Sequence, residues 1–207
     1  MRFSIMRPEL ALLMNKIISV VPPKSTLPIL STVLLEAREG TLRATSTDLD
    51  MSISTTVKTE ISQDGSVCIP ARRFSEIVRE LPVEEVKIEV EDFRVKVECG
   101  RGRYAISGME AADFPKMPSF KSEFRFSLPS DVLVKCDKRC LYSASTDESR
   151  PVLNGVLFQL LPGELRMVAT DGHRLSKTSF TGDYVKEKID VVVPPKAVRQ
   201  VVRILPE

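Results

Sequence analysis

Apolar residues recur with the spacing of an amphipathic helix in four segments of the chain. Residues three and four positions apart share one face of a helix, so this pattern predicts helices with one buried side. Pro8 falls in the first turn of the first segment, where proline is tolerated, and Ser130 is a candidate N-cap for the third. The apolar positions are Leu10, Leu13, Met14, Ile17 and Val21; Phe74, Ile77, Val78 and Leu81; Leu133, Cys136, Cys140 and Leu141; and Ala197, Val198, Val201, Val202 and Leu205.

Between the helices, short runs of alternating apolar and polar residues predict β-strands. They cover residues 3–5, 32–37, 42–46, 51–59, 66–69 and 126–128, with further strands between 86 and 107. Turn signals at positions 39–40 and 48–50 separate neighbouring strands. The first part of the chain is therefore predicted to contain two copies of one unit, in which a strand and a helix are followed by three strands. This order predicts an α+β fold with antiparallel sheets.

The pattern also repeats at a fixed distance along the chain. At an offset of 123 residues, nine of the 21 positions from Pro28 to Asp48 are identical to those from Pro151 to Asp171. The match continues at an offset of 124, where residues 69–81 correspond to 193–205. Unrelated segments of this length would share about one or two residues, so the chain contains a duplicated domain.

The repeat sets the expected domain boundaries. The first domain is predicted to cover residues 1–120 and to be complete, because it contains both strand-and-helix units. The second, residues 121–207, contains its second helix but ends before three further strands. We therefore expect a truncated second domain that exposes apolar sheet edges.

Composition narrows the class of protein. An apolar content of 43% fits a globular fold, and the chain has neither a run of 18 apolar residues nor a signal-peptide pattern, which predicts a cytoplasmic protein. Cys68, Cys99, Cys136 and Cys140 form no C-x-x-C pair, so reduced thiols are expected. With His173 as the single histidine, no metal site and no cofactor are predicted.

Charge is distributed unevenly although the net charge is only +2. The four helical segments together carry +6, so the rest of the chain carries −4. If the helices share one side of the sheets, that side is basic and suits a polyanion, because lysine and arginine bind phosphates without reading sequence. Ordinary solvated helix faces would give the same count, so charge alone leaves both interpretations open.

Two short motifs admit a catalytic or nucleotide-binding interpretation. Asp171 near His173 resembles an acid–base pair, but the same Thr-Asp pair recurs at positions 47–48 without a histidine, so a turn-forming role is predicted. The Gly-Arg-Gly-Arg sequence at 100–103 lacks the strand-to-helix context and the lysine of a phosphate-binding loop, which favours a strand or a turn. No enzymatic activity is predicted.

Eight ordered motifs resemble one known family. They are LPIL, ATSTDLD, IPARRF, GRGRYAISGM, ADFP, RPVLNGVLF, VATDGHRLS and VPPKAV, and they extend over the entire chain. In these motifs the chain resembles the bacterial beta sliding clamp, the processivity subunit of DNA polymerase III. The resemblance implies the DNA-clamp fold: a ring-shaped homodimer with three similar domains per subunit, helices on the inner surface and antiparallel sheets outside. The third domain would be absent from this chain.

The same resemblance implies a non-catalytic role in DNA replication. The ring would encircle duplex DNA and slide along it, tethering the replicative polymerase and so increasing its processivity. Weak, sequence-independent attraction suits sliding, because tight contacts to bases would hold the ring in place. The alternative is a duplicated DNA-binding module that grips DNA rather than encircling it, and that binds short linear duplexes with a steep salt dependence.

Three groups of site residues follow from the resemblance. The DNA-facing group is Lys24, Arg72, Arg73, Ser149, Arg150, Lys196, Arg199 and Arg203. One wall of a groove for a short motif of polymerases and the clamp loader is Leu153, Thr170, Gly172, His173, Arg174 and Leu175. The edge strand for dimer contacts contains Arg101, Arg103, Tyr104 and Ile106. Because the opposite groove wall and the dimer partner surface would belong to the third domain, we expect weak peptide binding and no normal ring closure from this chain.

Overall fold

The computed structural model describes residues 1–117, 125–147 and 149–205, which fold as two compact units. The first unit is Met1–Ser119 and the second is Phe120–Glu207. Each unit has its own apolar core, as expected of a domain. No α-helix in the described ranges is both long and apolar enough to span a lipid bilayer.

The first unit combines two helices with two antiparallel sheets. Its helices are α1 (Arg7–Ile17) and α2 (Ala71–Glu80). Its strands are β1 (Arg2–Met6), β2 (Thr32–Arg38), β3 (Thr41–Thr47), β4 (Ser52–Lys58), β5 (Glu60–Gln63), β6 (Gly65–Pro70), β7 (Glu85–Glu91), β8 (Arg94–Cys99) and β9 (Gly102–Ser107). One sheet has the order β5-β1-β7-β8-β9, and the other has the order β4-β3-β2-β6.

The second unit contains two helices and one antiparallel sheet in its described part. The helices are α3 (Ser130–Arg139) and α4 (Pro195–Ile204). The strands are β10 (Val156–Leu161), β11 (Glu164–Thr170), β12 (Leu175–Thr181) and β13 (Ile189–Val193). Their order, β12-β11-β10-β13, repeats the order β4-β3-β2-β6 of the first unit, as the sequence repeat predicts.

The apolar helix faces predicted from the sequence form the cores. In the first unit, Leu10, Met14 and Ile17 of α1 are buried together with Phe74 of α2. Val198 of α4 corresponds to Phe74 in the repeat and is buried in the core of the second unit. Full burial of side chains of this size contributes about 1.5–3 kcal/mol each, so these faces hold the helices on the sheets.

Two arginines connect α2 to α1 and to the loop that follows α1. Arg7, at the start of α1, donates from Nε to the carbonyl oxygen of Val78 at 3.2 Å and from Nη2 to that of Arg79 at 2.6 Å. Arg72, at the start of α2, donates from Nη2 to the carbonyl oxygen of Val21 at 3.3 Å. The last carbonyls of a helix lack partners within it and carry partial negative charge, so a guanidinium at that end of α2 is favourable. Both arginines therefore have a structural role.

Two expectations about secondary structure are wrong, and one strand was not predicted. Residues 126–128 form no strand, and Phe126 and Leu128 pack against the core of the second unit instead. Their counterpart β1 is held between β5 and β7, and the described part of the second unit has no strand in either position. Ser130 is the first residue of α3 rather than its N-cap, which is Pro129. β5 is a strand that the alternation did not predict, and it pairs with β1.

Candidate nucleic-acid interface and partner surfaces

In the first unit, the basic candidates lie at the start of α2 and in the loop that follows α1. Arg72 and Arg73 occupy the first turn of α2 and are exposed, as is Lys24 in the loop. The hydrogen bond from Arg72 to Val21 joins this turn to the beginning of the loop. The structure therefore brings Lys24, Arg72 and Arg73 into one region of the unit, although the guanidinium of Arg72 already has a partner.

In the second unit, three basic candidates form a stripe along α4. Lys196, Arg199 and Arg203 are spaced by three and four residues and share one exposed face. Arg199 Nε lies 3.9 Å from Asp137 Oδ1 of α3. Within the described ranges, no carboxylate forms an ion pair with Arg203. The stripe therefore presents positive charge to solvent while Val198 anchors the opposite face of the helix.

Ser149 and Arg150 lie in a loop that Asp147 organises. Asp147 Oδ1 accepts hydrogen bonds from the hydroxyl of Ser149 at 2.6 Å and from its backbone N–H at 3.0 Å. These two bonds hold the pKa of the Asp147 carboxyl below its usual range. Arg150 Nε lies 3.7 Å from Asp147 Oδ2, so part of the positive charge of Arg150 is neutralised locally.

A tight turn between β11 and β12 contains most of the groove candidates. Thr170 Oγ1 accepts a hydrogen bond from the N–H of Gly172 at 3.1 Å and donates to the carbonyl of Arg174 at 2.7 Å. Asp171 Oδ1 accepts from the N–H groups of His173 and Arg174, both at 3.0 Å. These N–H groups, that of Arg174 foremost, hold the pKa of the Asp171 carboxyl below its usual range. Gly172 has a φ of 90°, a conformation that favours glycine.

The same set of bonds occurs in the first unit between β3 and β4. Thr47 Oγ1 donates to the carbonyl of Met51 at 2.9 Å and accepts from the N–H of Leu49 at 3.1 Å. Asp48 Oδ1 accepts from the N–H groups of Asp50 and Met51 at 3.1 and 2.8 Å. The predicted turn-forming role of the Thr-Asp pairs is therefore confirmed. Because a copy without histidine builds the same turn, the pair needs no catalytic explanation.

Arg174 is held in place by two neighbours. Its Nε lies 3.0 Å from Asp171 Oδ2, and its Nη2 donates to the carbonyl of Tyr142 at 2.7 Å. Its guanidinium carbon also lies 5.6 Å from the centroid of the Tyr142 ring, within cation–π range. The hydroxyl of Tyr142 in turn accepts a hydrogen bond from Ser176 at 2.7 Å. Sequence reasoning missed Tyr142. The repeat did offer a signal, since the corresponding position of the first copy is Ser19 rather than an aromatic residue.

The remaining groove candidates surround this turn. Leu175 has 65% of its surface exposed, and Leu153 is half-buried in the preceding loop. A pocket of about 390 Å³ is lined by Arg150 of that loop together with His173 and Arg174 of the turn. The structure thus places Arg150, assigned to the DNA-facing group, next to His173 and Arg174, which were assigned to the groove.

β9 lies at the edge of the five-stranded sheet, where the dimer contact was predicted. Arg103 and Tyr104 are exposed on this strand and Arg101 is exposed just before it, with Arg103 Nε 3.5 Å from Glu98 Oε1. Ile106 differs from these residues, because its side chain lies on the inner face of β9, is only 3% exposed and belongs to the core. Ile106 can contribute to an edge contact only through its main chain.

The chemistry of the described residues fits binding better than catalysis. Both carboxylate oxygens of Asp171 are occupied by N–H groups of the turn and of Arg174. All four cysteines are buried free thiols, and burial raises the pKa of Cys68 to about 11 and that of Cys136 to about 12, so both stay protonated. In the part of the chain that the structure describes, no three His, Cys, Asp or Glu side chains cluster as metal ligands would.

Comparison with known proteins tests the resemblance. Residues 1–118 match the family model of the DNA polymerase III beta subunit N-terminal domain, and residues 127–207 match that of its central domain. The beta sliding clamps of Salmonella typhimurium and Proteus mirabilis are 35% and 36% identical to this chain over 207 residues, covering 99% of it. The matched regions are 57% and 56% of those two proteins, so the chain spans little more than half their length.

Solved structures agree with these matches. The crystal structure of the DNA polymerase sliding clamp from Bacillus subtilis has a TM-score of 0.94 at 29% identity, covering 100% of this chain and 57% of that one. The DNA polymerase III subunit beta from Pseudomonas aeruginosa has a TM-score of 0.93 at 32% identity, covering 98% of this chain and 56% of that one. The resemblance and the clamp fold predicted from the sequence motifs are confirmed. This chain belongs to the DNA polymerase III beta subunit family, the bacterial beta sliding clamps.

Proposed function

We propose that this chain supplies two domains of a sliding clamp that encircles duplex DNA and tethers the replicative polymerase. The consecutive matches to the N-terminal and central clamp domains carry the proposal, because they follow the domain order of the relatives along nearly the whole chain. The chain spans 57% of such a relative. We therefore assign the proposed clamp activity to the assembled ring rather than to this chain alone. The function needs no catalytic step and is exercised on the chromosome in the cytoplasm.

Attraction to the DNA backbone comes from exposed basic side chains. Lys24, Arg73 and the stripe along α4 are exposed, and contacts of such side chains with phosphates carry no sequence information. Arg72 contributes less because it donates to a carbonyl oxygen, and Arg150 and Arg199 contribute less because each lies near a carboxylate. Such exposed, long side chains hold DNA loosely, which permits sliding.

Polymerases and the clamp loader dock through a short motif at the turn between β11 and β12. The exposed side chain of Leu175 and the half-buried Leu153 offer apolar contact, and the fixed guanidinium of Arg174 borders them. A surface whose side chains are already held loses little entropy on binding, which favours affinity.

A homodimer closes through the open edge of β9. Unpaired N–H and C=O groups along an edge strand accept a further strand, and Arg101 and Arg103 flank this edge with positive charge. The partner strand belongs to another subunit of the ring.

The test is topological. The full-length protein is loaded by a clamp loader onto nicked circular plasmid, and its retention on the DNA during gel filtration is measured before and after linearisation. A ring is retained on circles and lost from linear DNA, because it slides off the ends. Retention that survives linearisation and falls with salt would contradict the proposal and support the alternative, a duplicated module that grips DNA.

A further inference from the structure

Four residues around the turn between β11 and β12 depart from the internal repeat together. Tyr142, Ser143, Arg174 and Ser176 stand where the first copy has Ser19, Val20, Met51 and Ile53. The hydrogen bonds of the turn itself are the same in both units, so the turn does not require these four side chains. Because the four residues bind one another, we treat them as one group, the Tyr142 network.

A chain of hydroxyl groups fixes the ring of Tyr142. Ser176 of β12 donates from Oγ to the hydroxyl of Tyr142 at 2.7 Å. A serine hydroxyl has a single proton, so Ser176 accepts the 2.6 Å bond that joins it to Ser143, and Ser143 is the donor. Both serines are buried, and these bonds satisfy groups that would be costly to leave unpaired. The main chain of Tyr142 lies in a short 3-10 helix, Leu141–Ser143, so its side chain is held at both ends.

Tyr142 acts on Arg174 through two groups. Its carbonyl oxygen accepts a hydrogen bond from Nη2 at 2.7 Å, and its ring centroid lies 5.6 Å from the guanidinium carbon. Asp171 Oδ2 accepts a bond from Nε at 3.0 Å and balances the positive charge. Neither hydrogen bond uses Nη1, so the donors of Nη1 remain for an acceptor outside the network. The guanidinium is therefore held in place while part of its hydrogen-bonding capacity is unused.

We propose that Tyr142 is a positioning residue for partner docking, which holds Arg174 so that Nη1 binds a main-chain carbonyl oxygen of the docked motif. A neutral carbonyl is favoured over a second carboxylate, because Asp171 already balances the charge of Arg174. The occupant is the short motif of polymerases and the clamp loader. The inference therefore rests on the proposed function and adds to it one residue and one kind of contact.

Positioning affects affinity because a free arginine side chain has many conformations. Such a side chain loses this freedom on binding, which weakens the complex, whereas a fixed side chain has already lost it. A purely structural role of the Tyr142 network would lower the stability of the second unit without acting through Arg174. Affinity measurements with and without the Arg174 guanidinium therefore separate the two roles.

The first experiment measures peptide affinity by fluorescence anisotropy. The full-length protein is titrated into a fluorescein-labelled peptide that carries the clamp-binding motif of the replicative polymerase. Tyr142→Leu removes the ring and should weaken binding about three- to tenfold, whereas Tyr142→Phe keeps the ring and should weaken it less than about threefold. Tyr184→Leu is the control and should leave the affinity unchanged, because Tyr184 packs against the core of the same unit outside the network.

A double-mutant cycle tests whether Tyr142 acts through Arg174. Once Arg174→Ala has removed the guanidinium, Tyr142→Leu should cause no further loss of affinity. The inference alone would be overturned by an equal loss in both backgrounds, by no loss in the original background, or by an equal loss with Tyr184→Leu. No binding by the original protein would contradict the proposed docking site itself, and the inference with it.

The contact between Tyr142 and Arg174 is measured without a partner. In NMR spectra of the ¹⁵N-labelled chain, an aromatic ring near the guanidinium shifts the Nε–H resonance of Arg174. Tyr142→Leu should move this resonance, and Tyr142→Phe and Tyr184→Leu should leave it near its original position. An Arg174 resonance that does not respond to Tyr142→Leu would show that Tyr142 does not position Arg174, and would overturn the inference.

Discussion

At the residue scale, the two Thr-Asp turns show how one hydrogen-bond pattern accepts different side chains. Leu49 has a φ of 78° at the position where Gly172 has a φ of 90°. A residue with a Cβ in this left-handed region costs about 1–2 kcal/mol relative to glycine. Because the side chains of Thr47 and Asp48 bind the backbone on both sides of Leu49, the turn is held despite this cost. The second copy has the same bonds without the strain.

The Asp171 carboxylate makes the stability of the second unit depend on pH. The pKa of Asp171 is lowered in the folded state, so its stabilising effect is present above its pKa in the unfolded chain. That effect is lost as the pH falls through the lower, folded pKa. We expect Asp171→Asn, which keeps an acceptor oxygen but no charge, to show a shallower loss of stability between about pH 5 and pH 2. Urea unfolding at several pH values measures this slope.

Asp183→Asn is the control for Asp171→Asn, because it removes one negative charge from another position of the same unit. Asp183 is exposed in the same unit and accepts one hydrogen bond, from the N–H of Gly163. The pH slope of this variant should stay closer to that of the original chain. Identical slopes for Asp171→Asn and the original chain would show that the turn does not depend on the charge of Asp171.

At the element scale, α1 separates buried from exposed leucines within one turn. Leu10 has no exposed surface, whereas Leu12 is 59% exposed. We expect Leu10→Ala to lower the free energy of unfolding of the first unit by about 2–5 kcal/mol, because it leaves a cavity in the core. Leu12→Ala should change it by no more than about 0.5 kcal/mol. Urea unfolding followed by circular dichroism compares the two, and equal losses would contradict the assigned face of α1.

Among the secondary-structure elements, the helices could be predicted from the sequence, but some strands could not. The helices were predictable because their apolar faces extend over several turns, and the repeat reinforced each assignment. β5 was missed because four largely polar residues at a sheet edge show no clear alternation. Residues 126–128 were assigned to a strand by analogy with β1, but a strand requires partners that the described second unit lacks. Tyr142 was missed because its role depends on Arg174, which lies 32 residues away along the chain.

At the scale of the whole molecule, net charge is a poor measure of attraction to DNA. Arg7 and Arg72 are engaged by carbonyl oxygens, and Arg150 lies near a carboxylate, so these charges are less available. The exposed stripe on α4 should therefore dominate the weak binding of linear duplex at low salt. We expect Arg203→Ala to reduce the slope of log K against log salt concentration by about 1. Fluorescence anisotropy with a labelled duplex measures the slope.

Arg38→Ala is a matched control because it removes the same charge from an exposed position outside the proposed DNA surface. Its salt slope should remain close to that of the original chain. If both variants reduce the slope equally, general charge rather than the α4 stripe attracts the DNA, and the proposed surface is wrong.

The position of β1 in its sheet has a consequence for how the protein is made. β1 lies between β5 and β7, so it cannot be enclosed on both sides until Glu85–Glu91 has been synthesised. At about 5–20 residues per second, that interval is about 4–16 s. Throughout it, Phe3 and Ile5 have no completed core to enter. During this interval β1 can pair with β5 but not with β7, so one edge of β1 and its two apolar side chains stay without their native neighbours.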